Sequence, residues 1–175
     1  MHNVEYKAEL RDLPLARAIA KQVGAKLAAT LDQTDTYFRV TTGRLKKREA
    51  IKPGHAPEPV QFIFYDRADI VRPKLSHYTL YTEEEARERY GERPLPTDIV
   101  VHKRRELWLL DATRIHFDIV EKLGNFIEFE VPVHPKSSVT AARDKTEELR
   151  KAFAPALGEA VALSYRDLLA EDRSD

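Results

Sequence analysis

From about residue 3 to residue 133 the sequence keeps returning to a period of two, and on several segments the polar half of that period carries charged pairs. Glu5, Lys7 and Glu9 alternate with Val4, Tyr6, Ala8 and Leu10. In an extended chain, residues two apart point the same way, so each set occupies one face of a strand. Lys46 and Arg48 share a face in the same manner, as do Lys103 and Arg105; Arg114, His116 and Asp118; and Glu128 and Glu130. Behind the last two sets lie the apolar rows Ile115, Phe117, Ile119 and Ile127, Phe129, Val131. Taken strand by strand, the plain reading is a sheet with one wet face. Taken together, the types argue for more. Like charges two residues apart repel, and clustering them is costly unless a counter-charge sits between them. Acidic pairs on some strands and basic pairs on others fit one shared binding volume.

The remaining segments place helices around these strands. Residues 13–24 read as a helix capped by Asp12, with Pro14 in its first turn, an apolar stripe of Leu15, Ala18, Ile19 and Val23, and Gly24 as its stop. Strands are expected from residue 34 onward, with segments 36–41 and 45–51 flanking a Thr42-Gly43 hairpin turn. Further strands are expected at 60–67, 74–81, 99–110 (one or two), 113–120 and 126–133. Thr82-Glu83-Glu84-Glu85 opens a short helix that Gly91 ends. Residues 138–153 form a long amphipathic helix and 164–169 a short one, with Asp167 placed for a capping box. Trp108, Leu109 and Leu110 read as core, and the helices as cover for the apolar rows. The order predicts one α+β domain over residues 1–175, with strands at roughly 3–133 and C-terminal helices at 138–170.

Composition narrows the function. The 29 Lys and Arg balance 29 Asp and Glu, which argues against gripping nucleic acid or an anionic membrane by bulk charge. The absence of cysteine excludes disulfides, thiolate metal sites and cysteine nucleophiles, and fits a reducing cytoplasm. Glu5, Lys7 and Glu9 interrupt any apolar leader near the start, and no apolar run is long enough to span a bilayer. Neither a Gly-x-x-x-x-Gly-Lys phosphate loop nor a Gly-x-Ser-x-Gly elbow is present. Carboxylate oxygens suit a hard divalent cation such as Mg2+ or Mn2+, and clustered Lys and Arg suit a phosphate chain. Phosphoryl chemistry asks for positioning and charge more than for a covalent nucleophile. A barrel closed around its polar face would hold such a site.

The same residues resemble a known family. Val4-Glu5-Tyr6-Lys7 resembles the Glu-x-Glu-x-Lys opening of CYTH, or triphosphate tunnel, proteins. Asp35-Thr36-Tyr37-Phe38 and Gly43-Arg44-Leu45-Lys46-Lys47-Arg48-Glu49 resemble its second and third strands. Tyr65-Asp66-Arg67, Ser76-His77-Tyr78, Lys103-Arg104-Arg105, Arg114-Ile115-His116-Phe117-Asp118 and Gly124-Asn125-Phe126-Ile127-Glu128-Phe129-Glu130 follow in the family's order, and Ser164-Tyr165-Arg166-Asp167-Leu168-Leu169 echoes a weaker C-terminal signature. The resemblance implies a closed antiparallel eight-stranded barrel with a charged lumen and covering helices, working on a small-molecule triphosphate with Mg2+ or Mn2+, as a monomer or homodimer.

Carried over, Glu5, Glu128 and Glu130 would bind metal, with Asp118 a weaker candidate. Lys7, Lys46, Arg48, Arg67, Lys103, Arg105 and Arg114 would bind the phosphates, and Glu5, Lys7, Glu128 and Glu130 would carry catalysis. His116 shares its face with Arg114 and Asp118, and reads equally well as a satisfied polar residue. Asn3 replaces the first motif Glu, keeping an oxygen but losing a charge. The resemblance implies triphosphate hydrolysis first, or alternatively class IV adenylyl cyclase chemistry on ATP. A non-catalytic polyphosphate or nucleotide sensor, and a lumen of purely structural ion pairs, are the readings without turnover.

Overall fold

Strand β1 (His2–Leu10) is the seam on which the sheet closes. One edge pairs along its length with β8 (Gly124–Pro132). The other edge pairs with β5 (Lys74–Tyr81) through residues 2–5 and with β9 (Leu157–Ala160) through residues 8–10. The remaining strands are β2 (Lys26–Phe38), β3 (Arg44–Ile51), β4 (Gln61–Arg67), β6 (Thr97–Leu110) and β7 (Thr113–Val120). They run in the order β5-β4-β3-β2-β6-β7-β8-β1, and β1–β5 pairing completes an antiparallel eight-stranded barrel. The computed structural model describes residues 1–135 and 138–172.

The strand pattern of the sequence is realised with three differences. β2 begins at Lys26 and ends at Phe38, where the sequence pattern suggested a strand at 36–41. Ala28, Ala29 and Thr30 give little alternation of their own. They are held in the sheet because the 14-residue β6 pairs with β2 from Lys26↔Leu109 to Phe38↔Thr97. The expected tight turn at Thr42-Gly43 is instead a connection over residues 39–43. Gly43 is required in it: its φ is 65°, and a Cβ there would lie 2.5 Å from the Phe64 ring. The short β9 carried no pattern of its own and forms by adding to the edge of β1.

The helices divide into cover and closure. α1 (Leu13–Gln22) starts as the sequence suggests, with Asp12 accepting from Leu15 N and Pro in its first turn. α3 (Val139–Phe153) is capped by Ser138. Both lie over the outer rows of the barrel, where Tyr6, Ile115, Phe117, Ile127 and Phe129 pack with Ile19, Leu149 and Phe153. Ile119, at the end of its row, lies beyond this cover and stays exposed. α2 (Glu83–Tyr90) is a capping-box helix after β5. α4 (Tyr165–Asp172), with Ser164 and Asp167 exchanging hydrogen bonds at its start, is not lateral cover. Its Tyr165 and Leu169 pack among Tyr37, Tyr65, Ile99, Val101, Val120 and Phe126, which close one end of the lumen. At that end the inward residues turn from charged to apolar, so a helix can seal it by burial.

Phe153 is fully buried and packs against both Phe117 and Phe129. Phe153→Ala should cost about 3–5 kcal/mol in urea denaturation. A loss under about 1 kcal/mol would mean that α3 is not a principal lid on the barrel wall.

Candidate functional site

The inward residues of the strands enclose a cavity of about 620 Å³, lined among others by Glu5, Lys7, Lys46, Arg48, Arg67, Lys103, Arg105, Arg114, His116, Glu128 and Glu130. The strand alternation thus brings every anticipated site residue except Asp118 to the lining of one cavity. Arg104 and His102 fall on the outer face of β6, with His102 Nδ1 3.1 Å from Thr34 Oγ1.

One wall is basic. Asp35 on β2 is fully buried, and its carboxylate accepts from Lys46 Nζ (2.9 Å), from Arg48 Nε and Nη2 (each 2.7 Å) and from Lys103 Nζ (2.7 Å). Burial works against the Asp35 anion, yet Arg48, Lys103 and Lys46 hold its carboxyl well below the usual range. Burial, with Arg48 beside it, lowers the Lys46 ammonium to about 8, and burial takes Lys103 well below its ordinary value despite Asp35. The sequence reading took Asp35 only as a family mark. Its signal was there in register: Asp35 stands directly across from Arg48.

The opposite wall is acidic and lies on β8 and β1, three and four strands from β2 around the barrel. Glu5 faces Glu130, and Lys7 faces Glu128, in the β1–β8 register. Burial works against the Glu128 anion as well, but Lys7 and Arg105 hold its carboxyl down at about 2. Burial and the Glu128 charge push the Glu5 carboxyl up to about 7, with Arg67 Nη1 at 3.6 Å opposing the rise. Glu130 Oε2 accepts from Arg114 Nε at 2.7 Å. Lys7 donates to the Leu163 carbonyl at 3.3 Å and lies 4.1 Å from the centre of the Tyr165 ring.

Asp118, the weaker metal candidate, is drawn away from this acidic wall. Its two oxygens take Arg105 Nε (2.7 Å) and Nη2 (2.6 Å), and the Tyr165 hydroxyl donates to one of them at 2.7 Å. Its visible work is to aim Arg105 and to pin α4. Asn3 is 2% exposed. With its amide set to satisfy its neighbours, Oδ1 accepts from Arg114 Nη2 and Nδ2 donates to the His2 carbonyl, each at 3.1 Å. The oxygen that replaces the motif carboxylate is thus spent on Arg114.

The donor set of the acidic wall suits a divalent cation. One ring nitrogen of His116 and one carboxylate oxygen each of Glu128 and Glu130 lie within 4.8 Å of one another. His116 is kept neutral, its imidazole lowered to about 4 by burial and by Arg105. Across the lumen, Lys7, Lys46, Arg48, Arg67, Lys103, Arg105 and Arg114 outnumber Glu5, Asp35, Asp118, Glu128 and Glu130. The excess favours an anion carrying several charges. The mouth, away from α4, is lined by Ala29, Leu31, Ala50, Leu80 and Leu107.

A closed antiparallel barrel with a basic and an acidic wall facing one lumen defines a tunnel protein. The chain belongs to the CYTH domain family, whose description matches residues 1–159. Solved structures carry the same fold at low identity. The PH1012 protein of Pyrococcus horikoshii is 18% identical with a TM-score of 0.73, covering 95% of this chain and 98% of its own. A proposed adenylate cyclase from Vibrio parahaemolyticus is 16% identical with a TM-score of 0.73, covering 97% of this chain and 98% of its own. The Hippeastrum protein HpAC1, described as having a dominant triphosphatase activity, is 11% identical with a TM-score of 0.63, covering 97% and 96%. No functionally curated protein matches the chain. Among the described residues, no helix is long and apolar enough to cross a membrane.

The raised Glu5 carboxyl has a consequence for the metal-free protein. A carboxyl that is higher in the folded than in the unfolded chain adds stability at low pH and loses it as pH rises through the folded value. That contribution is present below about pH 4.5 and gone above about pH 7. In EDTA, the melting temperature of Glu5→Gln relative to the unsubstituted protein should therefore climb across this window. A constant difference would show that Glu5 ionises as it does in the unfolded chain.

Proposed function

We propose that this protein is a divalent-metal-dependent enzyme acting on a triphosphate, as a triphosphate phosphohydrolase. The observation that carries this reading is the bipolar lumen. A cluster of buried cations occupies one wall and a carboxylate–imidazole group the other, with cations in excess over the whole lumen, around a cavity sized for a small polyanion. Lys46, Arg48 and Lys103 are already gathered at one point by Asp35, so a phosphate meets donors whose spacing is set beforehand. Arg105, aimed by Asp118, and Arg67 and Arg114, aimed by Glu5 and Glu130, supply further N–H groups to phosphate oxygens. Lys7 sits between the Glu128 carboxylate and the closed end, where it can hold the innermost phosphate. Glu5, Glu128 and Glu130 are the carboxylates that would hold the cation. When bound, the cation would offset phosphate charge and activate the reacting oxygens.

A second reading, conversion of ATP to cyclic AMP and pyrophosphate, draws on the mouth. Ala29, Leu31, Ala50, Leu80 and Leu107 give an organic group apolar surface beside the charged lumen. The same cations serve both reactions, so the products decide. Purified protein with Mg2+ or Mn2+ is offered inorganic triphosphate, ATP and thiamine triphosphate in parallel. Release of orthophosphate supports the hydrolase, and cyclic AMP with pyrophosphate supports the cyclase. Binding without product makes the protein a sensor and overturns the enzymatic reading.

Lys103→Ala should weaken triphosphate binding by roughly 10- to 100-fold, the worth of a buried charge-assisted contact, while Lys46 and Arg48 keep Asp35 paired and the barrel folded. Unchanged affinity by calorimetry would mean that the basic wall serves Asp35 and not a ligand.

A further inference from the structure

His116 lies on β7 between the two charges of its face, 4% exposed, with its Nδ1 lacking any hydrogen-bond partner. Few buried polar atoms are left in that state, since the lost hydration is not returned. The nitrogen is aimed at Glu130 Oε1, 3.7 Å away. That separation is too long for a hydrogen bond. It is one that two metal–ligand bonds of about 2.1 Å can span. Glu130 is free to take part, because its other oxygen carries the bond from Arg114. In the β7–β8 register, His116 stands directly across from Glu128 and Arg114 directly across from Glu130. The local geometry therefore converges a nitrogen and two carboxylates, whereas Asn3, which stands where a further acid was expected, turns its oxygen to Arg114.

We propose that His116 is a direct ligand of the tunnel's divalent cation, completing with Glu128 and Glu130 a mixed nitrogen–oxygen site that prefers a borderline transition ion such as Co2+ to Mg2+. The proposal rests on the metal-dependent reading above and adds the donor type and the selectivity. An imidazole rewards ions later in the first transition row and adds little for the harder, reluctantly dehydrated Mg2+. Loss of a carboxylate at position 3 works in the same direction, since it removes a hard oxygen donor from the wall.

The test is made on the protein as it is, without triphosphate, by direct metal binding. In Mn2+-loaded protein, pulsed electron paramagnetic resonance should detect coupling to an imidazole nitrogen, and that coupling should vanish in His116→Gln. Calorimetric titration should give Co2+ at least roughly tenfold tighter than Mg2+. His116→Gln should lose at least roughly tenfold in Co2+ affinity with little change in Mg2+ affinity. Mn2+ bound without nitrogen coupling, or equal Co2+ affinity in the variant, overturns the assignment of His116 and leaves the triphosphate reading standing. Inorganic triphosphate titrated into both proteins with Mg2+ keeps the two apart: bound by both, it shows a folded tunnel, so that a selective Co2+ loss belongs to the imidazole. If the unsubstituted protein binds neither metal nor triphosphate, both readings fall.

Discussion

The Asp35 carboxylate is the interaction on which the lumen depends. Lys46, Arg48 and Lys103 come from two strands that flank β2 on either side, and their mutual repulsion inside a buried cavity would otherwise push the barrel apart. One buried anion, bonded to all three, turns that repulsion into a fixed cluster. Asp118 does the same for Arg105 on the neighbouring strand pair. These two acids set the positions of the cations before any ligand arrives. Their cost is that each cation is partly satisfied already, so a ligand must compete with its own scaffold. The excess of cations over carboxylates is what leaves room for that competition.

Much of this was legible in the sequence because a strand reports its faces directly. The alternation of Glu5 and Lys7 with Val4 and Tyr6, or of Glu128 and Glu130 with Phe129 and Val131, says which side chains share a cavity without saying which strands adjoin. Closure into a barrel followed from the charge pairs and from the family resemblance. The acids that organise the cations were harder to see. Asp35 and Asp118 look like any other charge on a polar face, and only register shows that each stands opposite an arginine. β2 was misjudged because Ala28 and Ala29 carry no alternation and take their conformation from β6. The fate of Asn3 was hidden for a similar reason: its partner Arg114 lies more than a hundred residues away.

The C-terminal segment carries more than its weak signature suggested. Lys7 and Lys74 reach from β1 and β5 to the carbonyls of Leu163 and Ala162, immediately before α4. Tyr165 then bonds Asp118 and Arg166 pairs with Asp98 on β6. Arg44, paired with Asp69, also holds Asp167. The last helix is thereby tied to the same acids and cations that line the lumen. Cavity and closure are parts of one charge network.

Sealing by α4 makes the passage a blind alley with a single doorway. Whatever reaches the innermost cations has to come in from the end of the bore away from α4. A linear chain of phosphates longer than the cavity could present one terminus at a time and could not be threaded through. Access to the bore is thus confined to one end, a restriction that a barrel open at both ends would not impose.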